Sequence, residues 1–151
     1  MKVVIASDHA GFEYKAILFE ELKKAGYDIT DLGAYSIDPV DDYPDHAANA
    51  ANALLNGQAE RGILICGSAV GVSIAANKFK GIRAGVCHDT YSAHQGVEHD
   101  NVNILCMGQR VIGINLAIEI ATTFLKATFT NEERHKRRLE KIIAIEQKNM
   151  K

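Results

Sequence analysis

The stretch Gly62–Lys78, reading G-I-L-I-C-G-S-A-V-G-V-S-I-A-A-N-K, restricts the fold more than any other part of the chain. Ile63, Leu64 and Ile65 form a short unbroken apolar run, the pattern of a strand buried on both faces of a parallel sheet. Cys66 closes the run, and Gly67–Gly71 follows with two glycines, a serine and no bulky charged group. Val72, Ile74, Ala75 and Ala76 then read as the opening of a helix. A strand, a Gly-rich turn and a helix start gather free backbone N–H groups at a positive helix end. Such a pocket suits a phosphate, or an oxyanion formed during a reaction. A thiol stands at its mouth.

The same strand–helix alternation runs along the chain. Strands are expected at Lys2–Ser7, Tyr27–Leu32, around Ile63–Ile65, Arg83–Cys87 and Asn103–Met107. Helices are expected from Phe12 to a stop at Gly26, from Pro44 to about Leu55, at His88–Val97 and from Ile112 to about Lys126. Thr130-Asn131-Glu132-Glu133 has the form of a capping box opening a last helix to about Gln147. The pattern predicts one α/β domain over residues 1–151, a three-layer α/β/α sandwich of Rossmann-like type on a five-stranded parallel sheet. Ligands of such folds sit at the carboxyl ends of the strands. That rule brings Asp8 and His9, Cys66–Gly71, His88 and Asp89, and Gly108–Arg110 to one rim.

Composition removes several function classes. A formal charge of -2 leaves no basic footprint, so neither nucleic acid nor an anionic membrane is an expected partner. No apolar run approaches the roughly 20 residues of a membrane helix, and Met1–His9 lacks signal-peptide architecture. Three cysteines, an odd number without metal-type spacing, fit reduced thiols in the cytoplasm.

Several rim residues could carry chemistry. Cys87 and Cys106 read as core thiols, whereas Cys66 lies against a helix N-terminus, where a lowered pKa is expected. Ser68 can cap the helix or bond a substrate oxygen. Asp8 can cap the next helix, but the Asp8–His9 pair on the ligand rim points to function. The first turn lacks G-x-G-x-x-G and the chain lacks a P-loop, against dinucleotide and nucleoside-triphosphate sites. Arg134 and Arg138 stand one helical turn apart in the first turns of the last helix, where positive charge opposes the dipole. A bound phosphate would compensate; the plain alternative is a solvated patch with Lys136, Arg137 and Lys141. His99 falls in a polar loop before the fifth strand, and Asp38, Asp41, Asp42 and Asp45 read as a solvated acidic loop.

The chain resembles the ribose-5-phosphate isomerase B family, whose relatives include the two subunits of galactose-6-phosphate isomerase. The resemblance rests on S-D-H-A-G-F at Ser7–Phe12, D-Y-P at Asp42–Pro44, the Gly62–Lys78 stretch and G-I-R-A at Gly81–Ala84. It continues with N-I-L-C-M-G-Q-R-V-I-G at Asn103–Gly113 and R-H-K-R-R at Arg134–Arg138. It implies an aldose–ketose isomerase of the pentose phosphate pathway, working by ring opening and a cis-enediolate, without cofactor or metal. Cys66 matches the base that moves a proton between C2 and C1. Some members use a Glu further along, but here that stretch holds the apolar Val70 and Val72.

The amides of Gly67, Ala69, Val70 and Gly71 match the anion hole, beside Ser68, and His99 matches the ring-opening residue. His9, Arg134 and Arg138 match phosphate ligands, joined by Arg110, while Asp8 matches a ligand of the sugar hydroxyls and Tyr43 a neighbour of the substrate. Asp100 stands where relatives commonly carry Asn. The resemblance also implies a homodimer or dimer of dimers, with His99 and Arg110 reaching the pocket from the neighbouring chain. The alternatives are allose 6-phosphate or galactose 6-phosphate as substrate, and, from another class, a non-catalytic flavodoxin-like nucleotide-binding module. The Arg134–Arg138 pair favours the five-carbon sugar.

Overall fold

A computed structural model describes residues 1–150. Five strands, β1 (Lys2–Ser7), β2 (Asp28–Asp31), β3 (Arg61–Cys66), β4 (Ala84–Val86) and β5 (Ile104–Gly108), pair in the order β2-β1-β3-β5-β4, all parallel. The helices are α1 (Phe12–Lys24), α2 (Tyr43–Leu55), α3 (Val70–Ala76), α4 (Thr90–Asp100), α5 (Ile114–Lys126) and α6 (Glu133–Asn149), with a 3-10 turn at His9–Gly11. The expected three-layer α/β architecture is the one observed. None of the described helices is long and apolar enough to cross a membrane.

Side-chain alternation along the strands divides the core into two layers. Val3, Ile5, Ile63, Ile65, Leu105 and Met107 face Leu18 and Leu22 of α1 and Ile120 and Phe124 of α5. Val4, Ala6, Leu64, Cys66, Ile104 and Cys106 face the alanines Ala47, Ala50 and Ala51 of α2 and Val72 and Ala76 of α3. Small side chains on α2 let that helix lie close to the sheet, and its N-terminal end overhangs the rim where β3 ends. Register sets Cys66 beside Gly108 and Ser7 beside Ile65, so the ends of β1, β3 and β5 finish together.

Two expectations change here. α4 continues through His99 to Asp100, so His99 is a helical residue and not part of a loop. Asn101, in the left-handed region at φ 52°, ends the helix and donates its N–H to Val97 O; Asn tolerates that conformation. The capping box at Thr130 does not form either. Asn131 is also left-handed (φ 58°), α6 begins at Glu133, and the hydroxyl of Thr130 accepts from Glu132 N and meets His135 Nδ1 at 2.5 Å.

Candidate active site

The site begins where β1 ends. Asp8 caps the 3-10 turn, its Oδ1 accepting the amides of Ala10 (3.0 Å) and Gly11 (3.2 Å). This turn presses on β3 so closely that a Cβ on Gly11 would lie 2.5 Å from the carbonyl oxygen of Ile65. Close packing holds the Asp8 carboxylate beside Cys66, with Sγ 3.5 Å from Oδ2 and both residues buried.

This buried setting reverses one expectation. The Cys66 thiol has a raised pKa, not a lowered one. Burial is the main cause and the charge of Asp8 adds to it; the amides of Gly67 and Ala69 pull the other way without winning. A helix end stabilises a thiolate, but a carboxylate in contact with the sulfur disfavours it.

Gly67–Gly71 is laced to the end of β5. Gln109 N donates to Cys66 O at 2.9 Å and Arg110 N to Gly67 O at 3.1 Å. Gly108 must lack a side chain, since a Cβ there would lie 2.7 Å from Gly67 O. Ala69, left-handed at φ 74°, is the N-cap of α3, and Ser68 is exposed, its Oγ accepting from Val70 N at 3.3 Å. The Tyr43 ring rests on Gly71, where a Cβ would meet it at 2.6 Å. Tyr43 therefore joins the loop from the start of α2.

A cavity of about 300 Å³ opens between these elements, lined by Asp8, His9, Ala10, Cys66, Gly67, Ser68, Arg110 and Val111. Arg110 passes over Gly67 within its own chain, its Nη1 3.2 Å from where a Gly67 Cβ would be. This departs from the expectation that Arg110 arrives from a neighbouring chain. The reason is its own backbone bond to Gly67, which ties the residue to the loop. A more apolar hollow of about 320 Å³, between Ile82, Ile142 and Ile145, takes in Asp100 but no comparable set of reactive groups.

His9 is held by a residue read from the sequence only as part of a solvated loop. Asp41 Oδ1 accepts from His9 N at 3.2 Å and lies 2.6 Å from His9 Nδ1, while Oδ2 lies 3.0 Å from His46 Nε2. Burial opposes ionisation of Asp41, but the bonds from His9 and His46 outweigh it and hold its carboxyl below the usual range. Nothing local marked Asp41, because its partner His9 lies 32 residues away. Asp8, His9 and Asp41 also bring ligand atoms within 4.8 Å of one another. A metal there would have to take lone pairs of Asp41 that already accept from His9 and His46.

The remaining expected residues lie elsewhere in the chain. His99 stacks on His135, ring centroids 4.0 Å apart and planes 24° from parallel, and its Nδ1 meets Gln95 Nε2 at 2.9 Å. Arg134 is exposed and pairs with Glu132 at 3.2 Å, and Arg138 is exposed. His135 has a lowered pKa, chiefly through burial and then through the nearby His99 and Arg134. None of His99, Arg134 and Arg138 lines the Cys66 cavity.

The arrangement offers a thiol for acid–base work, backbone N–H groups for an oxyanion, and His9 and Arg110 for an anionic substrate. Residues 3–142 match the model of the Ribose/Galactose Isomerase family. The chain is 43% identical to ribose-5-phosphate isomerase B of Escherichia coli over 147 residues, 97% of each protein. It is 39% identical to D-erythrulose-4-phosphate isomerase 2 of Mycolicibacterium smegmatis over 148 residues, again 97% of each. Among solved structures, ribose-5-phosphate isomerase B of Mycoplasma genitalium with bound ribulose-5-phosphate superposes with a TM-score of 0.92 at 42% identity, covering 98% of this chain and 97% of that one.

Proposed function

The chain belongs to the Ribose/Galactose Isomerase family, and we propose that it interconverts D-ribose 5-phosphate and D-ribulose 5-phosphate in the pentose phosphate pathway. The observation that carries this reading is the buried Cys66 thiol at the mouth of the Gly67–Gly71 amides, in the cavity that His9 and Arg110 line. His99 opens the furanose ring. The Cys66 thiolate takes the proton from C2 of the open aldose, leaving an enediolate with its charge on O1. The hydroxyl proton of O2 passes to O1, and the thiol returns its proton to C1, which leaves the carbonyl at C2 and the ketose. No atom is gained or lost, so no redox partner is required. A thiolate of raised pKa is scarce at neutral pH but a stronger base toward carbon. The amides of Gly67, Ala69, Val70 and Gly71, beside Ser68, hold the enediolate oxygen. Asp8 bonds the sugar hydroxyls, Tyr43, packed on Gly71, is a neighbour of the substrate, and Asp100, outside the Cys66 cavity of its own chain, is a further contact from a second copy.

Phosphate is gripped by His9 and Arg110, and by Arg134 and Arg138 near the start of α6, far from the reacting carbons, where it supplies orientation. His99, Arg134 and Arg138 lie outside the Cys66 cavity of their own chain, which supports a homodimer or dimer of dimers in which a second copy supplies them. Three free thiols support a cytoplasmic setting. Residues 1–151 act as one sugar-phosphate isomerase domain.

Substrate length is the open variable within the family, since the M. smegmatis relative is named for a four-carbon sugar phosphate. A coupled assay with ribose 5-phosphate, allose 6-phosphate, galactose 6-phosphate and erythrulose 4-phosphate tests the reading. Highest kcat/KM on ribose 5-phosphate is expected. Turnover confined to another sugar would overturn the substrate, and nucleotide binding without any turnover would overturn the enzyme.

A further inference from the structure

We infer that Asp41, backed by His46, is a positioning residue that decides which ring nitrogen of His9 is presented to the cavity; the inference rests on the proposal that His9 binds the substrate's phosphate. An ionised carboxylate only accepts hydrogen bonds, and Asp41 has a lowered pKa. At 2.6 Å from Asp41 Oδ1, His9 Nδ1 is therefore the protonated nitrogen, and the bond from His9 N to the same oxygen fixes the backbone with the ring. By the same rule His46 Nε2, 3.0 Å from Oδ2, carries a hydrogen. His46 Nδ1 is buried with no hydrogen-bond partner among the described residues. It is the bare nitrogen of a neutral ring, since a buried N–H left unpaired is costly.

The direction of the chain follows. His46 Nε2–H donates to Asp41, Asp41 accepts Nδ1–H of His9, and His9 Nε2 remains for a ligand. A phosphate oxygen at Nε2 needs an N–H there, so the ring carries both protons when phosphate is bound. The second proton comes from solvent or from the phosphate monoanion, and the Asp41 carboxylate balances the charge across the ring. Asp41 and His46 lie five residues apart and share one contact, so the loop before α2 and its first turn act as one clamp on the turn after β1. Without Asp41 the ring is free to take either tautomer and either orientation.

The test uses the full chain with ¹⁵N-labelled histidine. Ring nitrogen shifts of His9 are followed by NMR during titration with inorganic phosphate, beside kcat and KM on ribose 5-phosphate. In the wild type, Nδ1 is expected protonated without phosphate and both nitrogens protonated with it. Asp41→Ala should lose the Nδ1–H signature, and both Asp41→Ala and the isosteric Asp41→Asn should bind phosphate about tenfold more weakly, the scale on which outer-shell partners act. KM should rise by a similar factor while kcat changes little. His46→Gln, which keeps an N–H donor to Asp41, should retain the wild-type pattern. Wild-type phosphate affinity in both Asp41 variants, or unchanged His9 shifts in Asp41→Ala, would overturn the inference. If wild-type protein turns over no ribose 5-phosphate, the isomerase reading fails instead, and the phosphate titration still decides the role of Asp41.

Discussion

Cys66 Sγ lies 3.5 Å from Asp8 Oδ2, and the two side chains are buried against each other at the ends of β3 and β1. The thiol is thus kept protonated first by burial and then by the carboxylate that also caps the turn beneath it. Burial and this neighbour together outweigh the amides of Gly67 and Ala69 in setting its readiness as a base.

Replacing the charge at Asp8 should release the thiol. In Asp8→Asn the Cys66 pKa falls, because the negative neighbour that disfavours the thiolate is gone; burial, the larger cause, remains. Alkylation of Cys66 by iodoacetamide, resolved by mass spectrometry, should set in at lower pH and run several-fold faster at neutral pH. An unchanged alkylation profile would show that Asp8 does not control the thiol.

His88 links the site to acid stability. Its Nε2 accepts the amide of the buried Gly108 at 2.9 Å, and burial lowers its pKa below the ordinary 6.5 despite the opposing charge of Asp89. The folded state therefore favours neutral His88. This contribution is complete above the ordinary value and is lost as pH falls through it to the lower folded-state value. His88→Leu strands the Gly108 N–H and should cost about 1–3 kcal/mol at pH 7. Urea denaturation between pH 7 and pH 5 should show a shallower acid loss in the variant than in the wild type.

Gly11 is a steric lock. A Cβ there meets Ile65 O at 2.5 Å and Ile65 C at 2.6 Å, backbone atoms of β3 that cannot swing aside. Gly11→Ala should cost about 3 kcal/mol or more and, by lifting the turn, separate Asp8 from Cys66. Gly26→Ala meets nothing within 4 Å and carries only the strain of φ +94°, about 1–2 kcal/mol. Equal urea midpoints for Gly11→Ala and wild type would contradict the close approach.

If a second copy completes each site, inactive variants should complement. Cys66→Ala and the double variant Arg134→Ala/Arg138→Ala, each inactive alone, should regain about a quarter of wild-type turnover after subunit exchange, from mixed dimers with one intact site. No regain in a mixture shown to have exchanged would place all the machinery in one chain.

Four strands are legible in the sequence as short apolar runs ended by a turn residue, β2 (Asp-Ile-Thr-Asp) only more weakly, and the rule for strand ends collects Asp8, His9, Cys66 and Arg110 on one rim. What stayed hidden depends on atoms distant along the chain. His99 reads as a loop residue because Glu98-His99-Asp100-Asn101 is polar; Asn101 in the left-handed region is what ends α4 beyond it. The Cys66 shift has the opposite sign from that expected because helix position is visible in the sequence, while the depth of burial and the contact with Asp8 are not. Asp41 sat in an acidic run with nothing to separate it from Asp38, Asp42 and Asp45 until the fold laid it on His9. Thr130 matched a capping box, yet its hydroxyl serves Glu132 N and His135.

The most direct measurement is turnover of ribose 5-phosphate by Cys66→Ala, with binding of the same sugar followed separately by calorimetry. Loss of kcat on the order of 10²–10⁴-fold, with binding kept within a few-fold, is the expected result. Full turnover in Cys66→Ala would contradict the assignment of Cys66 as the base.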